Sequence, residues 1–240
     1  MVRGLASQIP GIDKLVERQM RNWEIARSQR PRRPPAVRPS VADFLCLSRQ
    51  VGTDGVGVAT LLGKQLGWPV FDREILEAMA DSDETRRRIY ESMDERDLGW
   101  WEEALRSLMQ SEFVRNDYFK RLCETLLSLA RQGPCIFLGR GADLVLPRDR
   151  GFRVRLLEPV EVRLQRLCRI LECDTAAGKR QMERIERERR RFLRRHFGID
   201  SEDPMRFDLT VNLAELSHAE AAAAILEARR LRMGSETSVR

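Results

Sequence analysis

Short apolar runs alternate with longer stretches of helical periodicity through most of this chain, and that alternation predicts its elements. Phe44–Leu47, Pro69–Phe71, Cys135–Leu138, Phe152–Leu157 and Phe207–Val211 are brief runs of strand-forming residues. Between them, residues 58–66, 160–172 and 176–197 repeat their apolar positions at helical spacing, and Ser217 caps a last helix running to about Arg232. Residues 73–132 carry only helical periodicity, broken near Asp81–Ser82 and Asp97–Gly99. Short buried strands separated by helices call for a parallel sheet covered on both faces, an α/β domain of three layers.

That domain is predicted over residues 41–235. Residues 1–40 stand apart as an arm. Ile12, Leu15, Val16, Met20 and Trp23 form one stripe of a helix over residues 11–28, and four prolines between Pro31 and Pro39 follow it as an extended linker. An apolar stripe needs burial, so the helix is expected to dock on its own domain or on a second copy, which offers a route to a homodimer.

Composition narrows the class. A hydrophobic fraction of 42% with 33% charged residues describes a folded domain, not a disordered chain. No apolar run approaches the roughly 20 residues a membrane span needs, and the start lacks a signal peptide's apolar region, so the cytoplasm is the expected compartment. The five cysteines form no CxxC pair and four lie in apolar runs, which suits small buried hydrophobes better than a metal site or a disulfide frame. With two histidines, a triad or zinc site has little material.

The net charge of +6 is concentrated in two places. Residues 1–40 carry nine Lys/Arg against three acids, and residues 179–195 carry nine against three again, leaving the remainder net acidic. Local anion handling fits this better than general nucleic-acid coating, and with 6% aromatics base stacking has few platforms.

The stretch Ser48–Thr60 follows a strand and opens a helix, the context that gives a glycine-rich loop its meaning. Gly52, Gly55 and Gly57 let successive N–H groups turn around phosphate oxygens, with Thr53, Asp54, Val56, Val58 and Ala59 completing the loop. Thr60 is positioned to offer a hydroxyl to Mg²⁺ or a phosphate. The spacing G-x-x-G-x-G-x-x-T is that of nucleoside monophosphate kinase loops, with Val58 where those loops carry lysine. Arg49, just before the loop, is a candidate for the missing charge. The alternative is a tight strand-to-helix turn without ligand.

Four stretches together resemble the cytidylate kinase-like family: Ser48–Gly55, Phe71–Leu76, Pro134–Ala142, and Ile185–Gly198 followed by Asp208–Asn212. The resemblance covers residues 43 to about 230. It implies a three-layer P-loop NTPase fold with a five-stranded, mostly parallel sheet, a helical monophosphate-binding insert and a short lid. It implies transfer of the ATP γ-phosphoryl group to a pyrimidine nucleoside monophosphate, CMP or dCMP, with Mg²⁺. Arg140, in the Gly139–Arg140 pair, matches the position that contacts the monophosphate, and Asp72 falls where the monophosphate segment begins, although an N-cap role serves it equally well. Arg187 and Arg191 match the spacing of lid arginines that neutralise the transferred group, with Arg195 a turn further on. Asp143 departs from the family's pattern, which sets an aspartate directly after the glycine-arginine pair.

Two readings remain open from the residues. One is a nucleoside monophosphate kinase. The other is a nucleotide-binding regulatory protein on the same fold, with catalysis lost along with the lysine at position 58. Asp94, Glu95, Arg96, Trp100 and Trp101 are candidates for the base pocket by polarity and position, core or interface being the plainer role for the tryptophans.

Overall fold

In a computed structural model, residues 14, 16–18, 20–21, 41–85, 87, 117–199 and 203–235 are described. The elements run β1 (Phe44–Arg49), α1 (Gly55–Leu66), β2 (Val70–Phe71), α2 (Arg73–Asp81), α3 (Asp117–Gln132), β3 (Cys135–Leu138), α4 (Ala142–Val145), β4 (Gly151–Leu157), α5 (Val160–Leu171), α6 (Thr175–Phe197), β5 (Leu209–Asn212) and α7 (His218–Ser235). The five strands form one sheet in the order β2-β3-β1-β4-β5, and every adjacent pair is parallel.

Strand alternation divides the core in two. Phe44 and Cys46 of β1 and Cys135 and Phe137 of β3 face one layer, where α2 and α3 contribute Leu76, Met79, Phe119, Leu122 and Leu126. Leu45, Leu47, Ile136 and Leu138 face the other, packed by Val58, Ala59 and Leu62 of α1 and Ala221, Ala222 and Ile225 of α7. The expected three-layer parallel architecture is therefore present. From the N-terminal stripe, Val16 and Met20 are buried in the first of these clusters, against the chain's own domain. Ile12, Leu15 and Trp23, the proline-rich linker, and the base-pocket candidates between Asp94 and Trp101 lie outside the described residues.

Two boundaries differ from the sequence pattern, each for a local reason. Helix α1 starts at Gly55 rather than Val58, because the Asp54 carboxylate accepts the Gly57 N–H at 3.1 Å and caps the helix ahead of its apolar residues. Strand β5 starts at Leu209 rather than Phe207. Phe207 closes a 3₁₀ turn over Pro204–Arg206, and Asp208 donates its N–H to the Arg153 carbonyl at 2.8 Å. The start of α7 follows expectation. The Ser217 hydroxyl accepts the Glu220 N–H at 3.2 Å while Glu220 accepts the Ser217 N–H at 2.8 Å, a capping box.

Arg153 holds the middle of the sheet to the turns beside it. This fully buried β4 arginine donates to the carbonyls of Asp143, Leu146, Pro147, Arg148 and Gly151 at 2.8–3.4 Å. Those carbonyls end α4 and form the turn into β4, so one side chain supplies donors that their backbone lacks. Replacing Arg153 by Met strands them in the interior. Urea denaturation of Arg153→Met is expected to show a loss of about 3–5 kcal/mol, the range for breaking a buried charged network; a loss under 1 kcal/mol would mean the carbonyls find other donors.

Candidate functional site: an arginine-lined crevice at the strand ends

Strands β1, β3 and β4 are in register at Leu47, Leu138 and Val154, so their carboxyl ends emerge at one level of the sheet. That level delivers Ser48 and Arg49 from β1, Gly139 and Arg140 from β3, and Arg155 from β4. The carboxyl ends of parallel strands are where open α/β sheets bind ligands. Gly139, Arg140 and Gly141 all have positive φ, at 86°, 58° and 67°. A non-glycine residue there costs about 1–2 kcal/mol, and the strain serves to turn the Arg140 side chain inward over the sheet.

A cavity of about 300 Å³ opens at this point, lined by seven arginines: Arg49, Arg73, Arg140, Arg155, Arg189, Arg190 and Arg206. Its acids are already engaged. Glu186 pairs with Arg163 at 2.9 Å, Glu188 with Arg184 at 3.4 Å and Asp143 with Arg206 at 2.5 Å. Glu77 of α2, outside the lining, pairs with both Arg140 and Arg73.

The remaining positive charge is crowded enough to alter its own ionisation. Burial, then the guanidinium groups of Arg73 and Arg189, pushes Arg140 down to about 9. Burial, then Arg49, Arg73 and Arg155, pushes Arg189 down to about 10. Burial also lowers Arg49, against the pull of Glu74, Asp72 and Asp54. Arg140 and Arg189 stay cationic at neutral pH. The Arg140 Nε is buried without a hydrogen-bond partner among the described residues. A phosphate is the ligand such a site suits: it answers several forked donors at once and relieves their mutual repulsion.

Helix α6 brings its arginines to the crevice in a register the sequence did not reveal. Arg187 is 59% exposed and pairs with Glu183 at 3.9 Å, and Arg191 and Arg195 are exposed; none of them lines the cavity. Arg189 does, and its Nη1 donates to the Arg49 carbonyl at 2.9 Å. Phe192, on the same face, lies 6.0 Å from the Arg140 guanidinium and packs against the first core cluster. The helix is anchored by that apolar contact, which leaves Arg189 pointing inward.

The glycine loop lies beside the crevice. Gly52 has φ 84°, and a Cβ on it would stand 2.5 Å from the Arg163 carbonyl oxygen. A Cβ on Gly55 would stand 2.8 Å from Cδ of Arg49, whose side chain crosses the start of α1. The loop's amides are largely committed within the chain. Thr53 N–H donates to Gln50 O, Gly55 N–H to Thr53 O, Asp54 N–H to Glu158 at 3.3 Å and Gly57 N–H to Asp54. Glu158 is clasped by Arg166, which also donates to the Gly52 carbonyl. His218, at the start of α7, lies 3.3 Å from the Asp54 carboxylate. Thr53 is buried, and its hydroxyl has no partner among the described residues.

The other loop positions divide by helix face. Val58 and Ala59 are fully buried under the sheet, whereas Val56 and Thr60 are exposed. Position 58 therefore points into the core, packed in the second cluster, and not toward the crevice. Asp72 caps α2, accepting the Ile75 N–H at 2.9 Å, and its pKa is raised, first by burial.

No group of three His, Cys, Asp or Glu side chains suited to a metal occurs among the described residues. Thr60 is exposed in the second turn of α1, and the carboxylates nearest the loop and crevice are each tied to an amide or a cation.

A five-stranded parallel sheet with a glycine loop after β1 and an arginine-lined crevice at its strand ends defines a three-layer α/β protein of the P-loop type. The model of the cytidylate kinase-like family matches residues 44–215, and the chain belongs to that family. Its class is accordingly that of the kinase-like phosphotransferases. Among solved structures, an uncharacterized protein from Eubacterium ventriosum aligns with a TM-score of 0.61 at 16% identity, over 77% of this chain and 96% of that one. A gluconokinase from Sinorhizobium meliloti aligns with a TM-score of 0.44 at 14% identity, over 84% and 99%. A shikimate kinase from Aquifex aeolicus aligns at 0.38 and 18%, over 82% and 99%. At 16% identity the first likeness is one of fold. No curated protein matches the sequence. No described helix is long and apolar enough to cross a membrane.

Inorganic phosphate is expected to raise the thermal midpoint of the intact protein. Arg189→Ala should abolish that rise and Arg187→Ala should leave it in place. The rise should fade as pH climbs through about 9, where Arg140 loses its proton. The sign follows from linkage: the folded pKa lies below the unfolded value, so the cation costs the free fold stability at neutral pH and a bound anion offsets that cost. An equal response from both variants would remove Arg189 from the site.

Proposed function

We propose that this protein transfers the γ-phosphoryl group of ATP to a pyrimidine nucleoside monophosphate, CMP or dCMP. The observation that carries the reading is the convergence of Arg49, Arg140 and Arg189 on one cavity at the carboxyl ends of three parallel strands. Family membership supports phosphoryl transfer, and the pyrimidine acceptor is the part of the proposal that follows the likeness to cytidylate kinases. A cavity of about 300 Å³ is of the size that holds one small phosphorylated ligand.

Phosphoryl transfer asks a protein for position and charge rather than for strong acid–base chemistry. In this reading Arg140 grips the acceptor phosphate, with Glu77 and Phe192 fixing its plane. Arg49 and Arg189 stand where charge accumulates as the phosphoryl group moves, and Arg49 supplies the cation that Val58 does not. The loop from Gly52 to Gly57 receives the donor, with the unpartnered Thr53 hydroxyl available to it. Mg²⁺ accompanies nucleotide phosphates in such reactions and would neutralise part of their charge; the described residues hold no group of three His, Cys, Asp or Glu side chains suited to it.

One observation favours a second reading. Four of the loop's amides are satisfied within the chain and two carboxylates, Asp54 and Glu158, stand at the N-terminus of α1. Negative charge there opposes a triphosphate. A nucleotide-binding regulatory protein would keep the crevice and lack transfer.

Purified protein with Mg-ATP and each of CMP, dCMP, UMP, AMP and GMP separates the two. Diphosphate formation from CMP or dCMP, reduced roughly 10²–10³-fold by Arg140→Ala, is expected on the kinase reading. No turnover of any acceptor, together with Arg140-dependent binding of CMP, would overturn it in favour of the regulator.

A further inference from the structure

Two cysteines take no part in either core layer. Cys46, Cys123 and Cys135 are buried, whereas Cys168 and Cys173 are half-exposed, at the elbow where α5 gives way to α6. Helix α5 ends with Glu172 in the left-handed conformation, φ 50°, and the Cys173 N–H reaches back to the Cys168 carbonyl at 3.1 Å. A hydrogen bond closing over those six residues is the closure of a Schellman motif, which brings the side chains at its two ends together. The side chains of Cys168 and Cys173 are the two that this motif sets against each other. Cys168 Sγ also donates to the Asp174 carbonyl at 3.5 Å.

The elbow is built around that sulfur. A Cβ on Gly178, in the first turn of α6, would stand 2.3 Å from Cys168 Sγ, so the helices approach closely only because glycine is there. Asp174 caps the same turn, accepting the Ala177 N–H at 2.7 Å. From this base α6 runs to the crevice, where it delivers Arg189 and Phe192.

We propose that Cys168 and Cys173 form a reversible dithiol–disulfide pair that pins the α5–α6 elbow in its oxidised form. The oxidant is a low-molecular-weight disulfide such as oxidised glutathione. One cysteine thiolate attacks a sulfur of that disulfide, forming a mixed disulfide and releasing one thiol. The second cysteine thiolate then attacks the protein sulfur of the mixed bond, closing Cys168–Cys173 and releasing the other thiol. The two protein sulfurs are oxidised, the external disulfide is reduced to two thiols, and the cysteine protons pass to the leaving groups. Desolvation, then the neighbouring Cys168 sulfur, raises Cys173, so closure should quicken as pH rises. The buried cysteines are built-in controls: burial pushes Cys123 up to about 12 and Cys46 well above its usual value.

The test uses the full chain, equilibrated in glutathione buffers of increasing oxidation, quenched by alkylation, unfolded, and digested with trypsin. Arg169 lies between the two cysteines, so the intramolecular bond joins peptides 167–169 and 170–179. The expected result is that linked pair in monomeric protein, with Cys46, Cys123 and Cys135 alkylated only after unfolding. Cys168→Ser and Cys173→Ser should each lose the link while keeping the parent urea midpoint. Amide exchange through residues 170–178 should slow in the oxidised form and recover on reduction. Separate alkylation of the two peptides at every ratio, a glutathione adduct that never resolves, or links only between chains would overturn the pairing. Unchanged exchange would overturn the pinning.

Discussion

Like charges at close range in a half-buried crevice have to be held there by something stronger than their repulsion. Arg49, Arg140 and Arg189 are brought together by the parallel register of β1, β3 and β4 and by the seating of α6 through Phe192. Arg140 is held by Glu77 and Arg189 by the Arg49 carbonyl, while nearby Glu74, Asp72 and Asp54 favour the Arg49 charge. Burial lowers the pKa of all three, and for Arg140 and Arg189 the neighbouring guanidinium groups lower it further. A bound phosphate gains what the empty crevice lacks, and this is the physical basis of the functional reading.

Around the crevice, other arginines have structural roles, and the difference is one of partners. Arg153 directs its donors to five carbonyls, and Arg163 donates to the carbonyls of Val51 and Glu158 and to Glu186. Arg166 clasps Glu158 and the Gly52 carbonyl. Arg163 and Arg166 brace the glycine loop from behind, while Glu158 and Asp54 fill its amides from within. The loop is thus a well-determined turn, and the anion-directed charge is borne mainly by side chains rather than by backbone N–H groups.

Much of the fold was legible along the chain. The apolar runs at Phe44–Leu47 and Cys135–Leu138 are strands, and the helical stretches beginning near Val160 and Thr175 are α5 and α6. Gly139–Arg140 was legible as a strand-end pair because its position after an apolar run sends it to the sheet's carboxyl edge. The choice among the α6 arginines was not. Arg187, Arg189 and Arg191 are two residues apart, roughly 200° around a helix axis, and their sequence neighbours are mostly charged. Only the packing of Phe192 and Met182 decides which one turns inward.

By itself, the sequence determined the alternation of buried strands and helices, the glycines that permit the turn after β1, and the placing of arginine after β3. These are local matters, governed by side-chain periodicity and backbone freedom. Tertiary structure decided that Val58 belongs to the core, that Asp54 and Glu158 occupy the loop's amides, and that Arg189 rather than Arg187 or Arg191 enters the crevice. It also decided that Cys168 and Cys173, inconspicuous at a spacing of five, meet at an elbow. Each depends on contacts between distant elements or on the conformation of one helix end, and neither quantity is written in the order of residues alone.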